Sequence, residues 1–219
     1  MTDLKNKSIE KNVPKPTLFR LPSYLDYLRR KKDEGAAYIS TTKIGEDLKL
    51  YHVQVRKDLA HIGAVGKPKT GYEINSLIEK LVAFLEYESV TNAVLVGAGQ
   101  LGKTLLGFDG FSDYGLNIAA AFDTNKELIG SSIKGKPVMS IEELPQVCRK
   151  LNASIGIITV PPAYAQEIAE LMVKSGVKAI WNFSTVHLVL PDDVIVQNEN
   201  MAASLAVLRN RLSSQNNGK

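Results

Sequence analysis

Sulfur chemistry is nearly absent from this 219-residue chain: it has one cysteine, Cys148. A single cysteine excludes an internal disulfide and a cysteine-rich metal site, and it suits a reducing compartment. Histidine is scarce too, with three in all. His52, His61 and His187 lie at no metal-ligand spacing, and no Ser/His/Asp grouping or dense carboxylate cluster accompanies them. No reaction centre is evident, so a regulator is expected rather than an enzyme. No apolar run is long enough to span a bilayer and no secretory leader opens the chain, so a cytoplasmic protein without a membrane partner or a metal is expected. Strong net charge is missing too, at +4, but the charge is unevenly placed. Residues 1–75 carry 15 Lys/Arg against 9 Asp/Glu, and the remainder carries 12 against 14. A basic first third points to a polyanion, although Lys5, Lys7, Lys11 and Lys15 of a polar tail supply much of the excess.

What is present is 44% hydrophobic residues, enough to bury an ordinary core. Five segments are expected: a disordered tail over 1–15, a DNA-binding domain over 16–76, a nucleotide-binding domain over 77–198, a helix over 199–213 and a tail over 214–219. In the first domain Leu18, Leu21, Leu25 and Leu28 recur at helical steps, with Pro22 in the opening turn and Gly35 at the stop. Ser40 or Thr41 then caps a short helix that carries Thr42, Ile44 and Leu48. A break at Lys49-Leu50 follows, and a second helix places Val55, Leu59 and Ile62 inward and Gln54, Arg56, Lys57 and Asp58 on its flanks. Two short helices with a tight break form a helix-turn-helix pattern, and Gln, Arg and Lys are side chains that contact base edges and phosphates. Residues 63–74 look like a β-hairpin with Lys67 and Lys69 at its tip. A basic hairpin after a recognition helix makes a winged helix.

The second domain opens with a helix over 77–85 and is organised around Ala93-Val94-Leu95-Val96-Gly97-Ala98-Gly99-Gln100-Leu101-Gly102. A short apolar run ending in G-x-G-x-x-G reads as a buried strand, a glycine turn and a helix start, an arrangement that binds phosphate. Gly97–Thr104 also fits the triphosphate-loop pattern G-x-x-x-x-G-K-[ST]. Asp123, at the end of the next apolar run, suits either a magnesium ion or an adenosine ribose. Local sequence leaves both open. Strands and helices then alternate, including strands over 153–160, 177–183 and 186–190, so a Rossmann-like doubly wound parallel sheet is expected. Ligands of such sheets lie at strand C-termini, which makes Thr159, Val160, Pro161, Asn182 and Phe183 further candidates. Finally, Met201, Leu205, Leu208 and Leu212 form an apolar stripe on a last helix, spaced for packing on a second subunit or back on its own domain.

Several stretches carry a resemblance to one family. They are Arg20-Leu21-Pro22, Gln54-Val55-Arg56-Lys57-Asp58-Leu59, Gly71-Tyr72, Val96–Gly102, Phe122-Asp123, Thr159-Val160-Pro161 and Asn182-Phe183. Together they resemble the Rex family of redox-sensing transcriptional repressors from about Pro16 to Leu212. The resemblance implies an α/β homodimer with N-terminal winged helices, Rossmann-like NAD(H)-binding domains and a domain-swapped C-terminal helix. It implies operator DNA, an inverted repeat, as partner: held with NAD⁺ or no ligand, released by NADH. Under it the glycines meet pyrophosphate, Asp123 meets ribose, and Lys103-Thr104 is an incidental match. NAD is favoured over NADP, since no Arg follows Asp123. Ser40, Thr41, Thr42, Gln54, Arg56, Lys57, Lys67, Lys69, Gly71 and Tyr72 are the DNA-binding candidates. The chain departs from the family at Asp26, Phe108 and Asn200, where Arg, Tyr and Asp are usual, and Ser184-Thr185 stands after Asn182-Phe183 in place of Ala-Pro. A triphosphate-hydrolysing enzyme fused to a DNA-binding module and a coenzyme A-sensing regulator are the alternatives.

Overall fold

The computed structural model describes residues 13–216, which divide into two compact units on either side of the Glu88–Ser89 bond. In the first unit the order is α1 (Lys15–Asp33), β1 (Tyr38–Ile39), α2 (Thr41–Leu48), α3 (His52–His61), β2 (Tyr72–Glu73) and α4 (Ile74–Leu85). Most of the expected N-terminal tail, residues 1–12, lies outside the described residues, but Lys15 is already helical. α1 starts well before Pro22 because Pro16 occupies its opening turn, where a missing N–H leaves nothing unpaired. Pro22 therefore sits inside the helix. Leu21, Tyr24, Leu25 and Leu28 form its buried stripe and share a core with Ile44, Val55, Leu59, Leu77 and Leu81. Through Leu77 and Leu81 α4 belongs to this core, so the expected boundary at 76/77 falls within a helix and the chain divides at 88/89 instead.

The wing differs from the simple hairpin expected of residues 63–74. Its strand β2 pairs antiparallel with β1, Ile39 opposite Tyr72, and within the segment only a bridge between Lys67 and Gly71 closes the turn. Gly71 explains the geometry. Its φ is +86°, and a Cβ there would overlap the Ile39 carbonyl oxygen.

The second unit holds β3 (Thr91–Val96), α5 (Gln100–Leu106), a 3-10 turn over Asp109–Tyr114, β4 (Leu116–Asp123), β5 (Ser132–Ile133), β6 (Lys136–Ser140), a 3-10 turn over Ile141–Glu143 and α6 (Leu144–Leu151). β7 (Ile155–Ile158), α7 (Pro162–Lys174), β8 (Ala179–Asn182), β9 (Ile195–Asn198) and α8 (Met201–Asn216) complete it. The sheet order is β5-β6-β4-β3-β7-β8-β9, parallel except for the β5–β6 edge pair. The chain winds outward from β3 through β4 to β6, then crosses to β7 and winds the other way. The two halves part between β3 and β7, the place where such sheets open a crevice at their C-terminal edge. β3 is buried on both faces: Val94 and Val96 join one core, Ala93 and Leu95 the other.

The strand expected over 186–190 does not form. Val186, Leu188 and Leu190 do point into the core alternately, which produced the strand-like pattern. The backbone of Val189 is met by a side chain instead: Gln166 Nε2 donates to its carbonyl at 2.8 Å, and its N–H donates to Gln166 Oε1 at 2.9 Å. β9 fills the edge position. α8 continues through 214–216, where a tail was expected, and its stripe of Met201, Leu205, Leu208 and Leu212 is exposed.

Candidate nucleotide cleft and nucleic-acid interface

The three glycines after β3 have three different jobs. Gly97 has φ +102°, and a Cβ on it would press on the Thr159 carbonyl at 2.9 Å. Gly102 lies in α5 directly under the Gly97 carbonyl, so helix and strand touch there. Between them Gly99 faces open space, with nothing within 4 Å of a Cβ. A tight turn, an open approach and a close helix–strand contact are what a dinucleotide loop requires. A triphosphate loop needs room between its two glycines for the chain to bow round a phosphate. Here Gly97 and Gly102 are in contact, and Thr104 is spent inside α5, donating its hydroxyl to the Gln100 carbonyl at 2.9 Å.

The loop opens onto a cleft of about 780 Å³. Gly97, Gly99, Asp123, Thr159, Val160 and Pro161 line it, all expected from sequence. Asp123 is oriented by two backbone donors, the N–H of Ala98 to Oδ2 at 2.7 Å and that of Asn125 to Oδ1 at 2.8 Å. A carboxylate has about four acceptor sites, so hydroxyl donors can still be received. The Thr159 hydroxyl donates to the Gly97 carbonyl at 2.7 Å and so braces the turn rather than facing a ligand. Gln100, Leu101 and Gly102 stand behind the loop as the first turn of α5.

Asn182 is fully buried. Its amide donates to the Val186 carbonyl and to Asn198 Oδ1 and accepts from the Ser184 N–H, so it ties the chain after β8. Phe183 belongs to an aromatic run, with Trp181 at 4.9 Å and Phe111 beyond it at 5.7 Å from Trp181. The far wall was missed from sequence: Ile141, Glu142 and Pro145 after β6, and Tyr164, Ile168 and Leu171 on α7. The half-buried face of α7 was the available signal. Among the lining residues Asp123, Glu142, Glu167 and Glu170 face a single cation, Lys174. That balance suits a ligand with few negative charges gripped by backbone N–H groups. It opposes a triphosphate or the extra ribose phosphate of coenzyme A or NADP.

In the first unit Ser40 caps α2, accepting from the Lys43 N–H at 3.1 Å, and Thr41 and Thr42 form its first turn. Arg56 and Lys57 are exposed on α3. Lys67 and Lys69 are exposed on the wing, whose turn is closed by paired bonds between Lys67 and Gly71 at 2.7 and 2.9 Å. Tyr72 pairs with Ile39, so with Gly71 it shapes the wing.

Asp58 was expected on the flank of α3 and is instead buried under α1. It accepts from Arg20 Nε at 2.7 Å and Nη2 at 2.8 Å, from the Tyr24 hydroxyl at 2.7 Å and from the Thr17 hydroxyl at 2.9 Å. Burial alone would raise its pKa, but these bonds outweigh burial and hold it below the usual carboxylate range. Two of the departing positions also have clear surroundings. Phe108 packs edge-on to Phe111 at 4.9 Å, and Asn200 Oδ1 accepts from the Ala203 N–H at the start of α8. Among the described residues no group of three or more His, Cys, Asp or Glu could hold a metal, and no helix is long and apolar enough to cross a membrane.

Family models match in two places: a "CoA binding domain" over residues 88–186 and a "Putative DNA-binding protein N-terminus" over 12–60. A redox-sensing transcriptional repressor Rex of Treponema denticola is 45% identical over 88% of this chain and 92% of its own. One from Bacteroides fragilis is 39% identical over 92% and 91%. A solved structure of RSP in complex with β-NAD⁺ and operator DNA superposes with a TM-score of 0.87 at 32% identity, covering 93% of this chain and 94% of the other. RSP in complex with β-NADH gives 0.84 at 31%, covering 94% and 96%.

Proposed function

The chain belongs to the Rex family of redox-sensing transcriptional repressors, and from that premise we propose that it holds operator DNA as a homodimer and releases it when NADH is bound. It is a regulator, not an enzyme. One observation carries this: a glycine turn with a tight, an open and a packed position, beside an oriented carboxylate, in the same chain as a winged helix. NAD⁺ and NADH differ by a hydride, which turns a cationic nicotinamide ring into a neutral one.

The N–H groups of Gly99, Gln100 and Leu101 receive the pyrophosphate at the open side of Gly99, while that of Gly97 is spent on the Phe122 carbonyl, that of Ala98 orients Asp123, and Gly102 lets α5 lie close to the turn. Asp123 accepts from the adenosine ribose hydroxyls, and the carboxylates around it turn away a 2′-phosphate. Thr159, Val160 and Pro161 form the floor. Asn182 keeps Phe183 in place, and the apolar surface of Phe183 favours the neutral nicotinamide, since a buried unpaired cation is disfavoured. The exposed stripe of α8 pairs with the second subunit. For NADH to release DNA it must bind the DNA-incompetent dimer better than the competent one. In a gel-shift titration NADH therefore weakens operator binding much more than NAD⁺ does. Equal effects of the two would sink the proposal.

On DNA, the exposed Arg56 and Lys57 of α3 and Lys67 and Lys69 of the wing grip phosphates, with Ser40, Thr41 and Thr42 at the start of α2 beside them. Gln54 meets base edges. Gly71 and Tyr72 set the wing's shape. Arg56→Ala and Lys57→Ala each flatten the fall of log affinity with log salt by about one unit of slope. Salt titrations of operator binding measure this, and an unchanged slope removes that residue from the phosphate contacts.

A further inference from the structure

Arg20 does more than neutralise Asp58. Its guanidinium lies between two acceptors on α3, the buried Asp58 and the half-buried Gln54, one helical turn apart. Nε and Nη2 are committed to the Asp58 carboxylate at 2.7 and 2.8 Å. The Gln54 amide, turned so that its oxygen meets the cation, accepts from Nη1 at 3.1 Å and from Nη2 at 3.2 Å. The opposite orientation would set its NH2 against a guanidinium, donor against donor. Asp58 is itself fixed by Tyr24 and Thr17, so the guanidinium cannot swing away without leaving a buried carboxylate short of partners.

A free glutamine reads adenine with both ends of its amide, donating to N7 and accepting from the N6 amine. Gln54 has only one end to offer, because its oxygen is held. We infer that Arg20 is a positioning residue that makes Gln54 a donor-only reader: it meets an acceptor (guanine O6, thymine O4 or a purine N7) and cannot receive the exocyclic amine of adenine or cytosine, so the two-ended reading of adenine is lost. This rests on the proposed role of α3 as the recognition helix.

The test uses the full-length protein and duplexes selected from a randomised pool. Gln54→Ala identifies the position that Gln54 reads, as the one where base preference is lost. At that pair single groups are then deleted: the keto oxygen by 2-aminopurine for guanine or 5-methylpyrimidin-2-one for thymine, the amine by purine for adenine or pyrimidin-2-one for cytosine. Wild type should lose roughly tenfold in affinity on removal of the acceptor that Gln54 meets, the keto oxygen or, in a 7-deazapurine, N7, and less than about twofold on removal of the amine. Gln54→Glu keeps the bond to Arg20 through one oxygen and offers the other as an acceptor, so its losses should be reversed. Arg20→Lys cannot hold both acceptors. It should tolerate or prefer an adenine at that position alone, with a melting curve confirming that the protein is folded. A wild-type loss on amine removal, or a Gln54→Ala variant with every preference intact, overturns the inference. A wild type that selects no sequence at all overturns instead the DNA-binding role on which it rests.

Discussion

Gly99→Asp is expected to weaken NADH binding by about 100-fold or more while leaving the protein folded and bound to operator. The two halves of that result have separate causes. Gly99 has φ −69° and ψ −163°, a conformation open to any residue, and a Cβ there meets nothing within 4 Å. The fold therefore tolerates a side chain. The same empty space is where the backbone must approach a pyrophosphate, and an aspartate would fill it with a like charge. Hydrogen bonds to a charged group contribute about 1.5–3 kcal/mol each, and losing one or two reaches a factor of about 100. NADH fluorescence titration measures the loss, and operator binding in the presence of NADH measures its consequence, a repressor deaf to the reduced dinucleotide. Gly102→Ala is the contrasting variant. Its Cβ would overlap the Gly97 carbonyl oxygen, so it should lower thermal stability first. A Gly99→Asp protein that binds NADH like wild type would take the pyrophosphate off this loop.

Legibility in the sequence followed the range of the interaction. The β3 run, the three glycines and Asp123 were readable because each signal is local: unbroken burial, glycine spacing, an acid at a strand end. The helix-turn-helix was readable for the same reason, with a cap at Ser40 or Thr41 and a break at Lys49-Leu50; Ser40 is the residue that caps, and the break is made by a left-handed Lys49. Elements that depend on distant partners were not. β1 is two residues long and exists only because β2, more than thirty residues away, pairs with it. The alternation at Val186, Leu188 and Leu190 is real burial, but Gln166 on α7 supplies the hydrogen bonds that a neighbouring strand would have made. Asn182 looked like a ligand group at a strand end and proved to be a knot within the chain. The far wall of the cleft comes from two helical segments with no motif of their own.

Asp58 is the sharpest case, and its removal should have the largest effect on stability in the first unit. Nothing in Val55-Arg56-Lys57-Asp58-Leu59 separates this acid from its exposed neighbours. Its partners stand 34 to 41 residues earlier, at Thr17, Arg20 and Tyr24. Asp58→Ala leaves that guanidinium and phenol facing a small apolar side chain. Breaking a buried pair in this way costs about 3–5 kcal/mol, and since Arg20 can still turn toward water the lower end is expected. The pH dependence carries the same signature. Because the folded carboxyl lies below its unfolded value of about 3.9, the folded protein binds fewer protons there. Its contribution is complete above that unfolded value and is lost as pH falls through the depressed one. Chemical denaturation should therefore show a wide gap between wild type and Asp58→Ala at pH 7 that narrows below about pH 4. Operator affinity should fall with stability, since α3 is no longer pinned to α1, while NADH titration serves as the control on the second unit. A variant as stable as wild type at pH 7 would mean that the bonds to Arg20, Tyr24 and Thr17 merely offset the desolvation of the acid. α3 would then be held by Val55 and Leu59 alone.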